Sequence, residues 1–194
     1  MNKKFFNYFL ILLLIIVSIP EIKIAKADSN IKICIIGDSR CVGMGTIVEG
    51  SKTTGGSAGS TEFIYENTAS GVKCIAKGSQ NYNWVTQDAQ WKQIEALDKS
   101  VIIVYAMGIN GCNSSKEIET AEKIADLGFK VYYANVLPVN DSLASSNNYS
   151  IKDSDIINFN SSISGSSKYT VIDGYSKIKC TSDNSADGIH HDGD

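Results

Sequence analysis

Five apolar runs separated by polar, helix-periodic stretches organise the chain from residue 31 onward. They are IKICII (31–36), VKCIA (72–76), VIIVYA (101–106), KVYYANVL (130–137) and YTVID (169–173). Each is short, rich in β-branched residues and nearly continuous in hydrophobicity, as strands covered on both faces should be. Between them, TQDAQWKQIEAL (86–97) places Trp91, Ile94 and Leu97 on one side of a predicted helix. SSKEIETAEKIADLG (114–128) opens with a Ser114-x-x-Glu117 pattern that predicts a capping box. It gathers Ile118, Ala121, Ile124, Ala125 and Leu127 on an apolar face and stops at Gly128. A third helix is predicted over 153–165 from Ile156, Ile157, Phe159 and Ile163. Strand–helix alternation of this kind predicts a three-layer α/β/α domain around a mainly parallel sheet. Residues 50–70, rich in Gly, Ser and Thr, and residues 138–152 read as surface insertions, and neither an internal repeat nor a second domain is visible.

The beginning of the chain follows a different rule. Lys3 and Lys4 precede an unbroken apolar stretch, YFLILLLIIVSI (8–19), closed by Pro20 and Glu21, and AKA (25–27) has the small-x-small form of a cleavage site. This predicts a secretory signal peptide over residues 1–27 and a domain over 28–194, outside the cytoplasm, with membrane attachment only through an uncleaved signal sequence. The 194-residue chain carries a net charge of −3. Lys3, Lys4, Lys23 and Lys26 against Glu21 lie in the leader, so the domain that follows is more acidic still, at −6. With no basic run it lacks the electrostatic footprint of a nucleic-acid binder. Five cysteines (34, 41, 74, 112 and 180) cannot all pair within one molecule, and none shows zinc-ligand spacing. Cys34 and Cys74 fall inside strands and read as core residues, while Cys41 and Cys112 each follow a loop motif and are the pair placed for a disulfide.

In an open parallel sheet, ligands collect beyond the carboxyl ends of the strands. The loops there read Gly37-Asp38-Ser39-Arg40, KGSQNYNW (77–84), MGINGC (107–112) and DGIHH (187–191). A serine hydroxyl is a poor nucleophile at neutral pH and needs a base within hydrogen-bond reach. Only two histidines exist, both in the last of these loops. Asp187, three residues before His190, is spaced to orient that ring through Nδ1, leaving Nε2 for Ser39, whereas His191 would point away. Attack on an ester creates an oxyanion, for which the amides of Ser39 and Gly78 and the side chain of Asn110 are candidate donors. The G-x-S-x-G elbow is absent, which disfavours the ordinary α/β-hydrolase arrangement. Tyr82 and Trp84 read as packing residues before sugar platforms, Arg40 as half of a salt link before a substrate contact, and Asp187, Asp192 and Asp194 as a solvated tail before a cation site.

Taken in order, these blocks resemble the SGNH hydrolase superfamily, the GDSL esterases and lipases, and in particular its small secreted bacterial members. The resemblance runs from residue 37 to 190, nearly the whole domain. It implies a flavodoxin-like, parallel five-stranded sheet with Ser39 as nucleophile, Gly78 and Asn110 as the glycine and asparagine of the middle blocks, and Asp187 and His190 as the closing pair. It further implies a serine esterase without cofactor or metal, acting on small acyl esters of acetyl type, on a small ester or an acylated carbohydrate or cell-wall glycan. An O-acyltransferase using the same site and a non-catalytic glycan-binding surface module are the competing readings. Two positions depart from the family pattern: Gly111 follows the asparagine where an acidic residue is common, and Asn81 stands where a second glycine is common. The family's C-terminal helix has no counterpart before Asp194, so the expectation is either that the sequence is a fragment or that the histidine loop is loosely held.

Overall fold

The computed structural model describes residues 31–43 and 71–191, together with the backbone of residues 62–67. The predicted signal peptide and the carboxylates of Asp192 and Asp194 lie outside the described residues. The strands are β1 (Ile33–Gly37), β2 (Glu62–Asn67), β3 (Val72–Lys77), β4 (Ile102–Ala106), β5 (Lys130–Ala134) and β6 (Tyr169–Ile172). They form one sheet in the order β2-β3-β1-β4-β5-β6. All five apolar runs are thus strands, and all five run parallel. The sixth, β2, pairs antiparallel with β3 at the edge. It corrects the reading of 50–70 as a plain insertion: part of that segment extends the sheet.

Five helices have both ends among the described residues: α1 (Tyr82–Val85), α2 (Asp88–Glu95), α3 (Ser114–Asp126), α4 (Asp141–Ser146) and α5 (Asp153–Ile163). The helix predicted over 86–97 is α2, two residues shorter at each end and preceded by α1, with Trp91, Ile94 and Leu97 packed on the core as expected. Residues 138–152, read as an insertion, contain α4, which Asn140 caps by accepting the Leu143 N–H at 3.1 Å.

Register fixes which side chains share a face. Ile36 lies opposite both Ile75 and Tyr105, and Tyr105 opposite Tyr133. All four are fully buried, packed with Ile94 of α2, Ala121 and Ile124 of α3, and Ile156, Phe159 and Ile163 of α5. Burial of an aliphatic side chain of this size stabilises by about 1.5–3 kcal/mol. On the other face the side chains shrink. Cys74, Ala76, Ile35 and Ala106 receive Cys41 and Val42 from the helical turn that opens at Ser39, completing the three-layer order. That turn sits so close that a Cβ on Gly37 would lie 2.0 Å from Cys41 Sγ. None of the five cysteines is joined in a disulfide. The anticipated Cys41–Cys112 pair is not formed, because Cys41 packs on this face while Cys112 packs against the large cluster on the opposite one.

The capping box predicted at Ser114 is also absent. Asn113 caps α3, accepting the Lys116 N–H at 3.3 Å, and Glu117 turns inward instead. Its carboxylate, 1% exposed, accepts the Tyr82 N–H at 3.0 Å and the Tyr105 hydroxyl. Burial pushes this carboxyl up from an ordinary 4.5 to about 7, against the pull of its hydrogen bonds from Tyr105 and Tyr82; Asp38 adds to the rise and Arg40 opposes it. A carboxyl raised in the folded state favours folding below its unfolded value and loses that contribution as pH climbs towards 7. Relative to Glu117→Gln, the wild-type chain is therefore expected to lose about 2–3 kcal/mol of stability between pH 5 and pH 8. Urea unfolding of both proteins at the two pH values measures this, and an unchanged difference refutes the buried ionisation.

Candidate active site

Ser39 stands two residues beyond the end of β1, where the chain turns into a helix. Asp38 caps the turn: its carbonyl accepts the Cys41 and Val42 N–H groups at 3.0 and 3.1 Å. Its fully buried carboxylate accepts the Arg40 N–H at 3.1 Å and the Arg40 fork, Nε at 2.9 Å and Nη2 at 2.7 Å. Arg40 is therefore committed to a structural salt link. Ser39, 6% exposed, is left at the first helical position, where the backbone N–H has no intrahelical acceptor.

The structure brings the other end of the chain to this point. His190 Nε2 lies 2.8 Å from Ser39 Oγ across 151 residues of sequence, and His190 Nδ1 lies 2.6 Å from Asp187 Oδ2. With Nδ1–H donating to the carboxylate, Nε2 is left to accept from the serine hydroxyl. Asp187 Oδ1 also accepts the backbone N–H groups of Ile189 at 2.9 Å and His190 at 2.8 Å, so one carboxylate shapes the loop and aims the ring. Burial works to raise the Asp187 carboxyl, but these hydrogen bonds outweigh it and hold the group below the ordinary carboxylate range. His191 turns aside, donating from Nε2 to the Pro138 carbonyl at 3.0 Å.

The expectation of a loosely held histidine loop is corrected. Asn140 N–H donates to the Gly188 carbonyl at 2.9 Å, Asn140 Nδ2 to the Cys180 carbonyl at 3.3 Å, and Gly188 N–H to the buried Ser185 hydroxyl at 2.9 Å. The segment from Pro138 to α4 thus does the anchoring expected of a following helix. Close contact makes Gly188 obligatory: its φ is +80°, and a Cβ there would lie 2.6 Å from the Ala144 nitrogen and 2.7 Å from the Asn140 carbonyl oxygen.

The remaining predicted residues occupy neighbouring loop ends. Gly37 is level with Ala76 and Ala106 in the sheet, so Gly78 and Gly108 stand two residues beyond that level, as Ser39 does. Asn110 lines the same cleft as Ser39, and its Nδ2 donates to the Gln80 carbonyl at 2.8 Å. Gly78 is buried at the end of β3, with Ser79, in the left-handed region at φ 57°, forming the cleft wall beside it. Asn81 takes the place of a second glycine because it caps α1, accepting the Asn83 N–H at 3.0 Å. Trp84 is 2% exposed in the core, a packing residue as expected.

Above the serine lies a cleft of about 790 Å³. One wall comes from residues the sequence did not single out: Tyr149, Ser150 and Ile151 at the end of the presumed insertion, and Asp155 and Asn158 on α5. The signal for them was weak, since the cleft face of α5 is polar like any solvated helix face. Among the described residues no group of His, Cys, Asp and Glu side chains is arranged to hold a metal ion, and no helix is long and apolar enough to cross a membrane.

No protein-family model matches the chain, and no curated protein matches it. Solved structures do. A GDSL-like lipase from Bacteroides thetaiotaomicron aligns with a TM-score of 0.54 over 96% of this chain and 90% of that one, at 12% identity. A second structure aligns with a TM-score of 0.52 over 84% of this chain and 90% of its own, at 11% identity. At such identities the likeness shows the fold alone, a three-layer α/β/α, flavodoxin-like fold shared with the GDSL-like lipase.

Gly188→Ala is expected to cost about 1–3 kcal/mol and to free the loop that carries His190. Urea unfolding reads the first effect, and faster amide exchange at Ile189 and His190 the second. Native exchange at both amides refutes the anchoring role.

Proposed function

We propose that the protein is a secreted serine esterase that removes small acyl groups, of acetyl type, from carbohydrate or cell-wall glycan. The observation that carries this reading is the continuous relay Ser39 Oγ–His190 Nε2, His190 Nδ1–Asp187 Oδ2, at 2.8 and 2.6 Å. As Ser39 Oγ bonds to the ester carbonyl carbon, its proton passes to His190 Nε2, and Asp187 stabilises the imidazolium. The carbonyl oxygen becomes an oxyanion, for which the Ser39 and Gly78 amides and the Asn110 side chain are the proposed donors. Collapse breaks the carbon–oxygen bond to the alcohol, which leaves with the proton from His190, and an acyl group stays on Ser39. Water then repeats the sequence, giving up its proton to His190 and releasing the acid.

Three further features support the finer points. The hydroxyl, amide and carboxylate groups of Ser79, Tyr149, Ser150, Asp155 and Asn158 give the cleft polar partners for a sugar, beside the apolar side chains of Ile109, Ile151 and Ile189. The lipase name of the structural neighbour belongs to the same reaction class. The leader over residues 1–27 supports a location outside the cytoplasm.

Ser39→Ala is expected to abolish release of p-nitrophenol from p-nitrophenyl acetate while leaving the melting transition cooperative. In the wild-type chain a fluorophosphonate probe is expected on Ser39 alone. Full turnover by the alanine variant, or a probe adduct on another residue, overturns the assignment.

A further inference from the structure

One buried carboxylate stands apart from the Ser39–His190–Asp187 relay and yet connects both loops that flank it. Glu117 sits on α3 beside the buried residues Thr120, Ala121 and Ile124, and of these four it alone is ionisable. An apolar side chain at 117 would avoid the desolvation cost that a carboxyl incurs there, so its presence asks for a reason beyond packing. Its partners supply one. Oε1 accepts the Tyr82 N–H at 3.0 Å, and Oε2 accepts the Tyr105 hydroxyl. Tyr82 is the first residue of α1 and directly follows the 78–81 loop; Tyr105 belongs to β4, which runs directly into the loop of Asn110. The two loops are joined to each other at their far side, where Asn110 Nδ2 donates to the Gln80 carbonyl at 2.8 Å. The result is a closed circuit: Glu117, Tyr82, Gln80, Asn110, β4, Tyr105 and back to Glu117.

We propose that Glu117 is a positioning residue for ester cleavage, holding the Gly78 loop and Asn110 at the separation an oxyanion requires. This rests on the esterase reading given above. The physics is that of the helix start: the Tyr82 N–H belongs to the first turn of α1 and has no intrahelical acceptor, so without Glu117 it loses its partner. The 78–81 loop is then released at the end nearest α1. Donors to an oxyanion act by being fixed before charge develops, so a shift of this loop weakens transition-state binding while leaving ground-state binding almost untouched. The tie does not depend on ionisation. Charged or neutral, the carboxyl keeps a lone pair for the Tyr82 N–H, and the Tyr105 hydroxyl serves as donor to one form and acceptor to the other. Glutamine offers the same pair of groups, and leucine neither. The ionisable and charged groups around Glu117 are Tyr105 on β4, Tyr133 on β5, Cys112 before α3, and Asp38 and Arg40 after β1.

The test compares wild-type protein, Glu117→Gln and Glu117→Leu as full chains. It uses three measurements: kcat and KM on p-nitrophenyl acetate, inhibition by a boronic acid that forms a tetrahedral adduct on Ser39, and amide exchange at Tyr82. For the leucine variant, kcat is expected to fall 10- to 100-fold with KM within threefold of wild type. Boronate affinity should fall in parallel with kcat/KM, and the Tyr82 amide should exchange freely while amides of β1 and β4 stay protected. The glutamine variant should lie within threefold of wild type throughout. Wild-type kcat in the leucine variant, equal damage by glutamine, or loss of protection across the whole sheet each overturns the proposal. Should the leucine variant not fold, Tyr105→Phe removes a single hydrogen bond of the circuit; a lowered kcat at constant KM supports the role, and an unchanged kcat opposes it. If wild-type protein neither hydrolyses the ester nor takes a fluorophosphonate on Ser39, it is the esterase reading that falls. Exchange at Tyr82 then decides the tie on its own: protection lost in the leucine variant upholds it, and protection retained defeats it.

Discussion

Parallel strands bonded in register must end along a common edge, and everything at the cleft of this protein follows from that constraint. Because β3, β1 and β4 keep Ala76, Gly37 and Ala106 level, the loops after them emerge side by side. The chain ends of three separate crossovers are thereby delivered within reach of one another before any side chain in them interacts. The hydrogen bond between His190 and Ser39 then closes the largest loop of all, 151 residues, without needing to organise either end. Each end is already held: Ser39 by the helical turn that Asp38 caps, His190 by Asp187 and the clip to Asn140.

Small side chains make the serine end workable. Gly37, Ala76 and Ala106 clear the face against which Cys41 and Val42 pack, so the turn after β1 lies directly on the sheet. Asp38 is fully buried there, and a lone buried carboxylate would be costly. Arg40, two residues on, answers it with a forked pair of hydrogen bonds, so the charge is settled locally and Ser39 between them is spared. The sole arginine of the chain is thus explained by the needs of the turn, with no appeal to substrate.

What could be read from the sequence and what could not divides along physical lines. Central parallel strands are covered on both faces, and so 31–36, 72–76, 101–106, 130–137 and 169–173 stood out as apolar runs. The edge strand β2, EFIYEN, mixes polar and apolar positions inside a Gly/Ser/Thr-rich stretch and gave no comparable contrast. The spacing Asp187-x-x-His190 was informative because the aspartate bonds backbone and ring over three residues, a local matter. Glu117 misled for the opposite reason: its spacing from Ser114 imitates a cap, while its real partners, Tyr82 and Tyr105, are near only in the folded chain. The wall formed by Tyr149, Ser150 and α5 was hidden likewise, since a polar helix face gives no sign of whether it meets bulk water or a substrate.

The segment from Pro138 to α5 both walls the cleft and, through Asn140 and Pro138, secures the loop that carries His190. Two traits that many enzymes vary separately are therefore inherited together here. Drift in the length or composition of this stretch that reshapes the cleft also alters how firmly the imidazole is presented.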